Sequence, residues 1–525
     1  MTAASQEVTV HGDGRHELAP QVEATIADSP LYNDDLAPVP LERRNWTTYS
    51  YMALWIGMAI NIPSWTLAAG LISLGMDWLQ AVLTIGLANV IVLVPMLLNS
   101  HAGTKYGIPF PVFARASFGV FGANLAALLR AFVACGWFGI QTWIGGGAIF
   151  VLIGAVLGPD SWWSTAPGFA LGFGGEQPWT LWLSFLIFWV MNVYIILKGM
   201  NTLRIFESWS APLLVGVAVL LTVWMVIQAG GFGPILARES EVGWGPAFWS
   251  LFFPSLMGMI AFWSTLSLNM PDFTRFGRSQ RDQAVGQTLG LPTTMTLFAL
   301  LAVITASATA IVYDAPIFDP VELVRRFDNP LVIVVALLAV IIATLTTNVA
   351  ANLVSPSYDF SNAWPKRISF RTGGIITAIL GVVIQPWYLI SNPEVYIFTW
   401  LGFYGGALGA IAGVLIADYW FVRRTQLRLA DLYRTEGEYE YTGGWNWRAV
   451  VALLVGGVLA VGGAYTAEGG QGPFPVDGII PIFQPLYDYS WIVGLVVAFV
   501  LYWAFSRFFP AERPEPATAT PEPAI

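Results

Sequence analysis

One cysteine, three histidines and 11% charged residues leave this 525-residue chain little from which to build the usual reactive centres. Cys135 alone excludes an intramolecular disulfide framework and cannot by itself make a cysteine-rich metal site. His11, His16 and His101 fall in the polar leader or in a loop, and no HExxH, GxSxG or GxxxxGK(S/T) pattern occurs. The apolar segments hold no nucleophile, acid–base pair or metal cluster, so an enzyme is not expected. With 24 Lys+Arg against 33 Asp+Glu, a net charge of −9 and an isoelectric point near 4.9, there is no basic surface for nucleic acid. Residues 1–45 lack a basic stretch followed by an apolar run, and no cleaved signal peptide is expected.

What the chain does have is apolar surface: 56% hydrophobic residues and a mean hydropathy of +0.63, too much for a soluble protein. A membrane helix takes about 20 apolar residues. Cut at charges and at Gly/Pro/Asn clusters, the apolar stretches lie at 48–75, 77–99, 120–157, 179–197, 205–229, 246–270, 289–313, 330–355, 372–390, 394–418, 448–466 and 488–508. These predict an all-α, polytopic membrane protein of twelve transmembrane helices. Basic residues gather in alternate connections, among them Arg43/Arg44, Lys105/Arg115, Lys198/Arg204, Arg275/Arg278, Lys366/Arg367 and Arg423/Arg424. That bias puts those loops and both termini in the cytoplasm, in a multi-pass protein of the plasma (inner) membrane. The expected divisions are a cytoplasmic segment 1–45, five-helix halves 46–230 and 231–420, a cytoplasmic loop 421–447, two further helices 448–508 and a disordered tail 509–525. The third span is longer than a bilayer needs and carries Arg130, which predicts a tilted or projecting helix with Arg130 near the inner face.

Two spans should break. The first contains Asn61-Ile62-Pro63, where proline removes a backbone donor at mid-membrane. Five spans later, Pro254-Ser255-Leu256-Met257-Gly258 and then Trp263-Ser264-Thr265 interrupt the sixth. Matching interruptions in two halves are the mark of inverted-repeat transporters that bind solute and ion at unwound backbone. Around these breaks lie Trp137 and Gln141, one turn apart on span three, Trp263 on span six, and Asn348 and Asn352 on one face of span eight. Indoles stack on flat heterocycles, and Gln and Asn amides match the alternating N–H and C=O of a ureide, hydantoin or pyrimidinedione ring. The competing use of these amides is as hydrogen-bonding glue between helices. Trp143 reads as packing. With no charge in the middle of spans one, three, six or eight, an uncharged solute fits, while first-helix carbonyls and the Thr346 and Thr347 hydroxyls suit sodium. Proton coupling would need a titratable group, the nearest being Glu207 at the start of span five.

Together with His101-Ala102-Gly103-Thr104-Lys105-Tyr106-Gly107, Ala114-Arg115-Ala116-Ser117-Phe118-Gly119, Pro271-Asp272-Phe273-Thr274-Arg275 and Ala417-Asp418-Tyr419, these motifs resemble the nucleobase:cation symporter-1 family almost end to end. Within that group of hydantoin, allantoin, uracil and cytosine permeases, the chain resembles the bacterial allantoin permeases in particular. The resemblance implies a leucine-transporter-like five-plus-five inverted repeat, two extra C-terminal helices and alternating access. It implies a substrate held between Trp137 and Trp263, with amides at Gln141 and Asn352, and Asn61, Phe262 and Asn348 completing the substrate set. It places sodium, the expected coupling ion, on Gly57, Ile60, Ala343, Thr346 and Thr347. The sodium-coupled hydantoin member differs at Asn61 (a longer amide), Phe262 (glycine) and Thr346 (serine), and the first two bear on which ring substituents are accepted. The function so implied is secondary active symport of a neutral ureide or nucleobase-like ring. The alternatives are a proton-coupled nucleobase permease and an uncoupled facilitator or channel. A small-molecule substrate and the lipid bilayer are the expected partners, with no organic cofactor and no obligate protein partner.

Overall fold

The computed structural model describes residues 7–172, 175–198, 200–237, 239–314, 317, 319–327, 329–389, 400–466 and 473–511, with backbone only at 200–204, 206–208 and 211. The expected tail beyond residue 511, the ends of spans nine and ten between residues 390 and 399, and the Glu207 side chain lie outside the described residues.

A helix stands at each of the twelve expected positions. Among the described residues, seven are long and apolar enough to cross a membrane, one bent pair acts as an eighth, and four are shorter apolar helices. Besides them, two short hairpins occur outside the spans, Val8–Val10 with His16–Leu18 and Gly168–Ala170 with Glu176–Pro178. Most buried apolar side chains form one continuous cluster, running from the N-terminal segment through all twelve spans.

Span one is two helices, Thr48–Ala59 and Ile62–Ser73, bent by 59°. The break falls where Asn61 and Pro63 predict it. Pro63 lacks the donor that would extend the ladder, and Asn61 caps the second helix, its Oδ1 accepting from Ser64 N at 2.8 Å. Span six corrects the expectation in detail. Its helix runs through Pro254 and Gly258 from Pro246 to Phe262, and stops at Trp263, where φ is −102° and ψ 5°. It resumes as Ser264–Asn269. Neighbouring hydroxyls meet carbonyls at this interruption: Ser264 Oγ donates to Ala261 O at 2.8 Å and Ser267 Oγ to Ser264 O at 2.6 Å.

Span three runs from Ala123 to Leu157, 35 residues or about 52 Å, longer than the hydrocarbon core is thick. Span eight, Pro330–Ala363, is similarly long and contains a π-helical turn at Ala350–Val354. The two meet at a buried charge pair. Arg130 Nη1 lies 3.5 Å from Asp359 Oδ2, both side chains are fully buried, and Arg130 Nη2 donates to Ala351 O in the π turn at 3.2 Å.

The N-terminal segment is a strap across the face where the basic loops gather. Arg275 donates to Asp35 O, Arg115 to Leu31 O, Asn33 to Pro365 O and Tyr433 to Leu36 O. The strap carbonyls of Leu31, Asp35 and Leu36 are thereby each satisfied by a different loop, and Asn33 donates in return to a loop carbonyl. Arg115 is fully buried and also holds Asn362 Oδ1 and Leu432 O.

Removing one partner of a buried ion pair strands the other charge, so Arg130→Ala is expected to lower unfolding stability by about 3–5 kcal/mol. The double replacement Arg130→Met with Asp359→Leu should recover most of it. Denaturation of the purified proteins in detergent decides: equal losses for single and double variants would mean that the pair is not coupled.

Candidate substrate and ion site

The break in span one turns backbone oxygen away from its helix. Ile60, at φ −86° and ψ 85°, leaves the helical ladder, and Met58 O accepts from Asn61 Nδ2 at 2.6 Å. Span eight reaches the same corner. Thr347 Oγ1 is 3.0 Å from Gly57 O and 3.3 Å from Met58 O, while Thr346 Oγ1 is 3.4 Å from Gly57 O and 2.9 Å from Ala343 O. Four of the five expected ion donors, Gly57, Ala343, Thr346 and Thr347, therefore converge within hydrogen-bonding distance. The fifth, Ile60, lines a cavity of about 60 Å³ together with Ala343.

These donors fit a small hard cation. All are neutral oxygens, two from backbone dipoles and two from hydroxyls whose lone pairs can turn inward once their hydrogens leave the carbonyls. Among the described residues no group of three His, Cys, Asp or Glu side chains comes together.

The aromatic residues form the neighbouring wall. The Phe262 ring stands edge-on to Trp137 at 5.2 Å and to Trp263 at 4.8 Å. Trp263 in turn meets Trp55 edge-on at 5.3 Å. Trp137 Nε1 donates to Tyr404 Oη at 2.9 Å, and Tyr404 donates on to Ala261 O at 3.1 Å. In this conformation both indoles meet the Phe262 ring.

The amides divide into two groups. Asn348 is structural glue: its Nδ2 donates to Thr142 Oγ1 at 3.0 Å and to Phe138 O at 3.2 Å, tying span eight to span three. Asn352 hangs from it, Nδ2 to Asn348 Oδ1 at 3.0 Å, and sits inside the π turn. Asn61 is spent on capping. Gln141 Oε1, an acceptor, and Trp263 Nε1, a donor, are by contrast buried without any hydrogen-bond partner. A buried polar atom left unpaired in a folded protein asks for an explanation, and a bound solute is one.

Three participants were not singled out from sequence. Trp55 and Tyr404 carry no local signal, since one aromatic among many in apolar helices reads as packing. Asp359 lies beyond the apolar limit of span eight. The Arg130 charge it meets is seven residues, about 10 Å, along span three from Trp137.

This arrangement of broken helices, oxygens and aromatic rings has counterparts. Residues 38–494 match the family described as permease for cytosine/purines, uracil, thiamine, allantoin. The chain belongs to this family. It is 39% identical to the allantoin permease of Bacillus subtilis over 497 residues, 93% of this chain and 96% of that protein. It is 40% identical over 478 residues to the purine-uracil permease NCS1 of Arabidopsis thaliana, covering 91% of this chain and 78% of that one. Among solved structures it superimposes on Mhp1, a nucleobase-cation-symport-1 family transporter in a closed conformation with bromovinylhydantoin bound. The TM-score is 0.74 at 25% identity, over 91% of this chain and 96% of that one. The fold extends to MhsT in complex with L-phenylalanine, with a TM-score of 0.53 at 16% identity, covering 86% and 97% of the two chains. The protein is thus a polytopic membrane transporter of the leucine-transporter fold, and not an enzyme.

The cap at the break gives a first test. Asn61→Ala should lower unfolding stability by about 1 kcal/mol, and Asn61→Ser, which keeps an acceptor, by much less. Chemical denaturation in detergent compares them; equal stability of all three proteins would show that the side chain does not hold the break.

Proposed function

We propose that the protein is a sodium-coupled symporter that imports a neutral planar ureide or nucleobase-like ring, allantoin or a hydantoin first and uracil next. The observation that carries this reading is the pair of unpartnered buried atoms, Gln141 Oε1 and Trp263 Nε1, beside a wall of aromatic rings and an oxygen-lined corner. A ring that offers N–H to Gln141 and C=O to Trp263 satisfies both, and its flat faces match indoles. In this reading Trp137 and Trp263 enclose the ring, Gln141 and Asn352 read its edge, Asn348 holds Asn352 in place, Phe262 meets its substituents, and Asn61 serves the site by capping the break. Phe262 swings aside to admit it.

Sodium would sit on Gly57, Ile60, Ala343, Thr346 and Thr347. Both helices that build this corner also carry substrate residues, so cation and ring stabilise the same closed arrangement, which is coupling in thermodynamic terms. The names of the relatives, permeases for allantoin, uracil and hydantoin, support the substrate class. The gathering of arginines on one face supports both termini being cytoplasmic in a plasma (inner) membrane. The breaks in spans one and six support division into five-helix repeats at 46–230 and 231–420, followed by the cytoplasmic loop 421–447 and the helix pair 448–508.

In proteoliposomes, radiolabelled allantoin should accumulate above its external concentration under an inward sodium gradient, and Trp137→Ala or Asn352→Ala should abolish uptake. Failure of allantoin, hydantoin and uracil to accumulate under either a sodium or a proton gradient would overturn symport of this class. Uptake that never exceeds equilibrium would make the protein a facilitator.

The double variant Thr346→Ala/Thr347→Ala removes two oxygen donors. It should raise the sodium concentration for half-maximal uptake at least about tenfold, while ligand-induced quenching of tryptophan fluorescence persists at saturating sodium. An unchanged sodium response, with uptake following a proton gradient instead, would transfer coupling to a titratable group.

A further inference from the structure

A cavity of about 590 Å³ lies outside the site just described, and none of the seven expected substrate residues lines it. Its walls include Ile62, at the start of the second half of span one, and Ile140, next to Gln141. It therefore abuts the deep site. Its other walls come from connections on the face opposite the arginine-rich loops: Gln177 from the hairpin before span four, and Asp319 and Arg325 from the ends of the short helix Pro320–Val324 before span eight.

Trp143 stands in this wall and was read from sequence as packing. On one side it is packed by Trp182, Phe185 and Trp387, with ring centroids at 5.2, 5.8 and 5.8 Å. It also lines the cavity. The chamber thus repeats the chemistry of the deep site, an indole held by other rings and a primary amide, and its volume is that of a small-molecule site.

We propose that this vestibule is a second, shallower binding site for the same planar solute, with Trp143 as its stacking surface and Gln177 as its amide. Resting on the symporter reading above, the proposal adds a waiting position that captures the ring before Phe262 and Trp263 admit it. The rim carries one charge of each sign, Asp319 and Arg325, and so offers no net charge that would select an ion over a dipolar, uncharged ring.

Equilibrium binding of radiolabelled allantoin to purified protein, with uptake measured in parallel, tests this. The Asn352→Ala protein should keep a weak, saturable binding component, and adding Trp143→Ala should remove it. Singly, Trp143→Ala and Gln177→Ala should each raise the external concentration for half-maximal uptake about tenfold, the loss of one stacking or amide contact. Gln177 sits on a hairpin outside the spans and keeps the test valid should Trp143→Ala fold poorly. Wild-type binding that Asn352→Ala abolishes completely, with both single variants within twofold of wild type, would overturn the vestibule while leaving the deep site standing. No allantoin binding by wild type would overturn both.

Discussion

The contact between the Thr347 hydroxyl and the Gly57 carbonyl closes a gap that hydrocarbon does not tolerate. A helix broken inside a bilayer exposes backbone oxygens with no water to receive them, and each unsatisfied group would cost several kcal/mol. Span eight supplies Thr346 and Thr347, and the break supplies its own Asn61. Hydroxyls are suited to this because they can exchange a donated hydrogen bond for a lone pair. The same oxygens can therefore stabilise the break in one state and hold a cation in another.

From that corner the rest of the centre follows. Span eight has to lie against span one for the threonines to reach, which brings Asn348 against Phe138 and Thr142 of span three and sets Asn352 in the π turn. A π turn re-aims the side chains around it, and such turns often occur at functional positions. The Ala351 carbonyl in that turn is taken up by Arg130, so a buried charge pair props the amides from the side facing the arginine-rich loops. Trp137, Tyr404 and Ala261 form a second chain joining spans three, ten and six. Trp137 is thus positioned by a hydrogen bond at its edge, and Phe262, Trp263 and Trp55 by edge-to-face contacts.

Much of this was legible in the residue order. Twelve apolar runs mark twelve helices because membrane thickness sets a length that sequence reports directly, and Asn61-Ile62-Pro63 marks the first break because proline's missing donor is a local property. Of the four oxygens that meet on spans one and eight, the Thr346 and Thr347 hydroxyls were singled out from the residue order, and those of Gly57 and Ala343 only through the family resemblance. Pro254 misled, because a proline within a membrane helix can be accommodated by its neighbours, and the helix stops at Trp263 instead. Asp359 was passed over because it lies where the apolar pattern ends, and nothing local says that it faces Arg130.

Span number, the first break, the absence of fixed charge at mid-membrane and the stock of indoles and amides were determined by the sequence alone, since each depends on residues adjacent in the chain or on one helix face. Only the tertiary structure decided which amides are spent on holding helices together and which polar atoms stay unpaired. The same is true of the Phe262 ring meeting both indoles and of Trp143 bordering a chamber. Those outcomes depend on contacts between spans hundreds of residues apart, where a single indole or amide reads the same whether it ends as glue, packing or ligand.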